Sequence, residues 1–300
     1  SVSAGLLNDS RHIRDAVLAN VVLDGQGTGL WGQVLGSWGA ADAHEGMARL
    51  STDHQGVIVG VSRSGNGFAV GFAAGLSNAD YRAGARASSA DVSSQFLAVH
   101  GGLASGALSL QIGGAYAWHD VDASRSIVFP GYSGSVTAEY DASTRQLFGE
   151  LAYGIPAGGL TLSPFARLAH TRTRTDGFAE RGASEAALNV ASQTRTLDLL
   201  SLGLKLDGSL EISSSARLAP AISVAWQRAW GDRMDAQDVR FTDGTAGFAI
   251  QGQQVQRTSA VVDAGVALDL GAYTIGAAYR GAVADRWADH GAKLTLGLRF

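Results

Sequence analysis

The residues Lys293-Leu-Thr-Leu-Gly-Leu-Arg-Phe300 alternate without a slip. Leu294, Leu296, Leu298 and Phe300 share one side of an extended chain; Lys293, Thr295, Gly297 and Arg299 share the other. A period of two over this length dictates a strand with one apolar face. The same pattern recurs near 29–41, 55–64, 67–78, 90–104, 108–118, 146–155, 160–174, 200–206, 217–227, 259–270 and 273–283. About twelve strands result.

Two further features decide what such a chain encloses. Connections alternate in length: short turns at Ser64-Gly-Asn66, 104–107, 156–159, 207–215 and Gly271-Ala272 separate longer polar stretches near 42–54, 79–90, 119–144, 174–194, 231–256 and 284–291. Charge is also confined to one side. The Leu, Val, Ile and aromatic faces are nearly free of it, while the opposite faces carry Glu150, Arg167, Lys205, Arg217, Asp263, Asp269, Arg280, Lys293 and Arg299 among Gly, Ala and Ser. Twelve strands enclose an interior too wide for side chains alone to fill. A polar lumen with an apolar exterior resolves this, so the expected fold is all-β, a 12-stranded antiparallel transmembrane β-barrel. Tyr273, Tyr279, Trp118, Trp226 and Phe300, near strand ends, suit an interfacial girdle. The alternative is a soluble sandwich or lipocalin-like barrel.

Composition agrees. The 300 residues are 46% hydrophobic and 17% charged, with 40 glycines, no cysteine and a net charge of −4. The charge balance gives no footprint for nucleic acid, and the lack of cysteine excludes thiolate metal sites and disulfides. No apolar run reaches 18 residues, so no membrane-spanning helix is expected. Ser1 opens no signal peptide, which reads as a cytosolic chain or a piece of a longer precursor.

Residues 3–20 break the pattern. Leu6, Ile13 and Val17 fall on one face at helical spacing, with Arg11, Arg14 and Asp15 elsewhere. Eighteen helical residues span about 27 Å, close to a bilayer's hydrocarbon thickness. This helix is too polar for lipid and belongs in the lumen, the alternative being a surface helix on the periplasmic side. The expected division is a pore-spanning linker helix over 1–25 and a barrel over 26–300.

One helix before twelve amphipathic strands, ending in a terminal phenylalanine, resembles the C-terminal β-barrel translocator domain of monomeric (type Va) autotransporters. The matching pieces are Leu30-Trp-Gly-Gln-Val-Leu-Gly-Ser-Trp38, Phe178-Ala-Glu-Arg-Gly182, Leu199-Leu-Ser-Leu-Gly-Leu204, Ala225-Trp-Gln-Arg-Ala-Trp-Gly231 and Leu294-Thr-Leu-Gly-Leu-Arg-Phe300. The linker Asp9-Ser-Arg-His-Ile-Arg-Asp-Ala-Val17 looks most like those that follow subtilisin-like protease or esterase passengers. The resemblance implies secretion of an N-terminal passenger across the outer membrane of a Gram-negative bacterium. The implied partners are outer-membrane lipid, the passenger and the barrel-assembly machinery, with the barrel a monomer. It implies no cofactor, and Phe300 matches a C-terminal insertion signal.

Site candidates follow. Arg11, Arg14 and Asp15 on the helix, with Glu150, Arg167, Arg217, Asp263 and Arg280 on the wall, suit anchoring of the helix through salt bridges. In some family members the linker cuts itself by asparagine cyclisation; Asn8-Asp9 is the candidate here, with Glu150 or Asp263 as the assisting acid, although the Asn-Asn pair of that subgroup is absent. His12, His44, His54, His100, His119, His170 and His290 show no metal-ligand spacing. An outer-membrane hydrolase barrel would need His119 or His170 beside a serine such as Ser124. A passive porin shares the fold, and the contents of the pore tell the two apart.

Overall fold

The computed structural model describes residues 2–300 except 24, 44–47, 85–86, 183–185, 235, 243, 245–246 and 253. Ser1 and His44, both considered above, lie outside the described residues. One helix, α1 (Val2–Ala19), precedes the wall strands β1 (Gly27–Ala41), β2 (Leu50–Gly65), β3 (Phe68–Ala83), β4 (Ser88–Ser105), β5 (Leu108–Phe129), β6 (Tyr132–Tyr153), β7 (Leu160–Thr175), β8 (Gln193–Gly208), β9 (Ala216–Gly231), β10 (Thr258–Asp269), β11 (Tyr273–Ala284) and β12 (Trp287–Arg299). Each pairs antiparallel with the next, and β12 pairs with β1 from Gly29↔Arg299 to Ala41↔Trp287. Phe300 completes the seam: its N–H donates to the Thr28 carbonyl, and its own carbonyl accepts from the Thr28 N–H, both at 3.0 Å. A closed ring leaves no wall edge unpaired, the condition for crossing lipid with strands.

Alternation sets the two surfaces. On β5, Leu108, Leu110, Ile112, Tyr116 and Trp118 point outward and are exposed, whereas Ala117 and His119 are buried inside. On β1, whose facing the pattern alone leaves open, Trp31 turns inward at 8% exposure and Trp38 outward at 56%. The girdle aromatics Trp118, Trp226, Tyr273, Tyr279 and Phe300 all point outward. Inward aromatics lie across glycines directly opposite them. A Cβ at Gly60 would meet the Trp31 ring at 2.3 Å, and one at Gly75 the Phe96 ring at 2.3 Å. These rings pack the wall, where open lumen would leave them wet.

The strands outrun the apolar band at one end. The stretches near 119–144 and 79–90, expected as loops, are largely strand: β5 and β6 form one hairpin turning at Pro130-Gly131, and β3 continues to Ala83. The stretch near 284–291 is likewise a tight turn at Asp285-Arg286. The physical reason is that above the lipid the pattern inverts: the outward face is polar while Ala79, Tyr81, Val92 and Val121 turn inward against Leu6, so the apolar-out signature is lost while pairing continues. Asp53, Asp80, Asp91, Asp122 and Glu139 stand opposite one another in successive strands there. Such a row requires water, and it marks the outside of the band. Short turns lie at the other end, as at Asn66-Gly67, where both residues take positive φ (52° and 78°) in the manner of a tight hairpin.

The stretches 174–194 and 231–256 are also structured. Phe178–Ala179, Leu188–Val190, Ala236–Phe241 and Gly247–Gln251 form a small separate sheet at the long-loop end. Leu188, Val190 and Val239 are buried within it. Phe178 stacks on Tyr140 of β6 at 4.1 Å between ring centres, and Arg125 of β5 holds Glu180 at 2.5 Å.

Candidate functional site

The helix lies inside the barrel. At its start, Ser3 Oγ is 3.2 Å from Thr175 Oγ1, at the long-loop end of β7. Beyond its end, Val21 and Leu23 reach Gly102, close to the short turn between β4 and β5. The helix therefore runs the length of the lumen, its N-terminus toward the long loops. Because the wall surrounds it, apolar and charged faces are buried alike: Leu7, Val17, Arg11 and Arg14 are each below 9% exposure.

Charged wall residues meet it at two levels. Near its middle, Arg11 Nη2 meets Asp289 Oδ2 of β12 at 2.8 Å, and its guanidinium lies over the Trp287 ring at 5.7 Å. One turn lower, Asp15 is gripped from two sides. Arg167 of β7 donates to Oδ1 at 2.9 Å and Arg280 of β11 approaches Oδ2 at 3.0 Å. Each arginine is itself held by a wall carboxylate, Glu150 of β6 at 2.6 Å and Asp263 of β10 at 3.0 Å. Arg14, at 2% exposure, adds a third cation 3.8 Å from Asp15. Two arcs of the wall, β6–β7 and β10–β11, thus reach one helical carboxylate through their arginines, and charge makes such contacts stronger than neutral ones.

Uncharged contacts complete the seat. Tyr81 donates to Asp9 Oδ2 at 2.5 Å, and its ring covers Gly5, where a Cβ would meet it at 2.3 Å. Gln146 donates to the Ser10 carbonyl at 2.9 Å. His12 stacks on His54 at 4.3 Å and lies 3.2 Å from Ser37 Oγ.

Seven of the eight anchoring candidates meet in this network. Arg217 does not: it lies at the short-turn rim, exposed, 3.8 Å from Glu211 and away from the helix. Its inward facing was legible, but its height in the pore was not. The helix contacts of Asp289, Trp287, Tyr81 and His54 come from intervals whose sequence has the look of a loop. Asn8 and Asp9 sit in continuous helix, with the Asn8 carbonyl accepting from Arg11 at 3.1 Å. Glu150 and Asp263 grip at the level of Asp15, about 10 Å below. The hydrolase candidates are not brought together on the lipid side. His119 faces the lumen between Ser94 (2.7 Å) and Thr144 (3.0 Å), His170 faces outward with Asp198 (2.7 Å), and Ser124 pairs with Ser89 (2.9 Å).

The family model for the autotransporter beta-domain matches residues 30–280. The chain belongs to that family. It is a translocator domain of the Gram-negative outer membrane, a non-enzymatic barrel. The translocator domain of the autotransporter NalP from Neisseria meningitidis has the same fold, with a TM-score of 0.75 at 18% identity over 100% of this chain and 97% of that one. The beta domain of the Bordetella autotransporter BrkA follows at 0.70 and 17%, covering 92% of this translocator domain and 100% of that one. Two extracellular serine proteases of Serratia marcescens are 29% and 28% identical over the whole translocator domain. The domain spans 30% of their length.

Proposed function

We propose that residues 26–300 form the conduit through which a passenger preceding residue 1 reaches the cell surface, and that residues 1–25 are the linker left in the pore when transit ends. One observation carries this reading: the helix fills the lumen with its N-terminus at the long-loop mouth, so chain upstream of it emerges outside. The relatives named extracellular serine protease, three times longer than their matched part, support a secreted hydrolase as the kind of passenger. Insertion into lipid by the barrel-assembly machinery, with Phe300 as its signal, belongs to the same reading. Arg11, Arg14, Asp15, Glu150, Arg167, Asp263 and Arg280 serve to hold the linker once it is in place.

The test is surface display. A small folded reporter fused ahead of residue 1, behind a secretion signal, is expected to become sensitive to protease added to intact Gram-negative cells. A reporter that stays protected until the outer membrane is opened refutes the proposal. Conductance separates the conduit from a passive porin, because deleting residues 1–24 raises it only if the helix occupies the pore.

A further inference from the structure

Arg145 of β6 and Arg172 of β7 stand directly opposite each other on the outer surface. Both are exposed on the lipid side of the wall. Directly opposite side chains have Cβ atoms only about 5 Å apart, and like charges so placed are destabilising. Among the described residues neither arginine has a carboxylate partner. This differs from the lumen, where Arg167 and Arg280 are each doubly paired.

Their height is informative. Arg145 is the register partner of Tyr116, whose ring packs on Trp118 at 4.7 Å in the outward girdle. Below the pair come Leu147 and its register partner His170, which is held by Asp198 at 2.7 Å, and then Leu168; above it on β6 come Ser143, Asp141 and Glu139. The two guanidinium groups therefore sit at the outer edge of the apolar band, at the headgroup level of the outer leaflet. Beneath them the wall is hollow. Gly114 lies between Val99 and Leu147 in register and offers no side chain, leaving a furrow flanked by Leu97, Val99 and Leu147, with His170 on its β7 side, that opens under Arg145 and Arg172.

We propose that this furrow is a binding site for a phosphorylated lipid of the outer leaflet, its phosphate forked between Arg145 and Arg172 and one acyl chain lying over Gly114. Two adjacent guanidinium groups match the oxygens of one phosphate in bidentate fashion. The anion removes their mutual repulsion in a setting where lipid weakens the screening by water. Arg174, two residues on, is excluded from the pair by its own partner Asp176 at 3.4 Å.

Native mass spectrometry of the whole chain in neutral detergent provides the test. The probes are bisphosphorylated lipid A, the same lipid with its phosphates removed, and inorganic phosphate alone. One bisphosphorylated molecule is expected to be retained, with removal of the phosphates weakening retention about tenfold or more. The R145Q/R172Q variant is expected to lose affinity by a similar factor, and R145K/R172K to lose part of it, since lysine lacks the fork. Gly114→Leu fills the furrow without touching charge and is expected to weaken lipid while leaving the arginines in place. Heat-modifiable gel migration checks folding of each variant. Equal retention of the dephosphorylated lipid, or unchanged retention by both arginine variants and by Gly114→Leu, overturns the proposal. Thermal protection by inorganic phosphate equal to that by lipid A makes this a free-anion site and overturns it too.

Discussion

Replacing Asp15 by asparagine nearly preserves shape and removes the one anion that Arg167 and Arg280 share. The hydrogen bond from Arg167 contributes about 1.5–3 kcal/mol, and breaking the close ion pair with Arg280 brings the total to about 3–6 kcal/mol. Both arginines keep a second carboxylate, at Glu150 and Asp263, and the polar lumen screens part of the interaction. The net loss then falls to about 2–4 kcal/mol. At 1.4 kcal/mol per factor of ten, the population with the helix displaced rises roughly 30- to 700-fold. Single-channel recording in planar bilayers reads this directly, with the 25–300 fragment defining the open level. The native chain is expected to dwell at low conductance with rare excursions to that level. Asp15→Asn should lengthen its share of open time by the stated factor, and Asp15→Glu should return most of it. If Asp15→Asn gates like the native chain while the fragment is open, packing rather than the arginine clamp holds the helix, and the reasoning is wrong.

Tyr81→Phe removes the hydroxyl that donates to Asp9. Open dwell time should rise, but less than for Asp15→Asn, because one such bond contributes about 1.5–3 kcal/mol; equality of the two variants would contradict the ranking. Leu294, outward and 59% exposed, lies on β12 within the apolar band, between the levels of Tyr279 (opposite Ala292) and Tyr273 (opposite Leu298). Leu294→Arg should lower stability against urea in lipid vesicles by about 2–4 kcal/mol, and a loss under 1 kcal/mol would displace the band assigned here. Gly60→Val puts a branched side chain where the Trp31 ring lies. Overpacking of this kind costs about 1–3 kcal/mol, and the paired change with Trp31→Ala should recover part of it in the same assay. Independent, additive losses would show that the two residues do not share space.

The lumen clamp was readable because inward faces rich in Gly, Ala and Ser make each charge conspicuous. Glu150, Arg167, Asp263 and Arg280 stood out on strands whose other side was apolar, and Arg11, Arg14 and Asp15 stood out on a helix too polar for lipid. Asp289, Tyr81 and His54 did not, although they touch the same helix. They belong to parts of the wall where the outer face is already in water and the apolar side turns inward, so the apolar-out pattern is lost and a paired strand looks like a loop. The small sheet built from Phe178–Ala179, Leu188–Val190, Ala236–Phe241 and Gly247–Gln251 escaped for a related reason. Its strands come from two distant connections and are too short to show a period.

Alternation is a local property, and it alone determined the number of wall strands, the side that every strand but β1 turns to lipid, and the need for closure. Height along the pore is not local. It depends on the stagger between neighbouring strands, which only the closed ring establishes. That stagger brings Asp15 between Arg167 and Arg280, leaves Arg217 at the rim, and sets Arg145 against Arg172 at the membrane's outer edge.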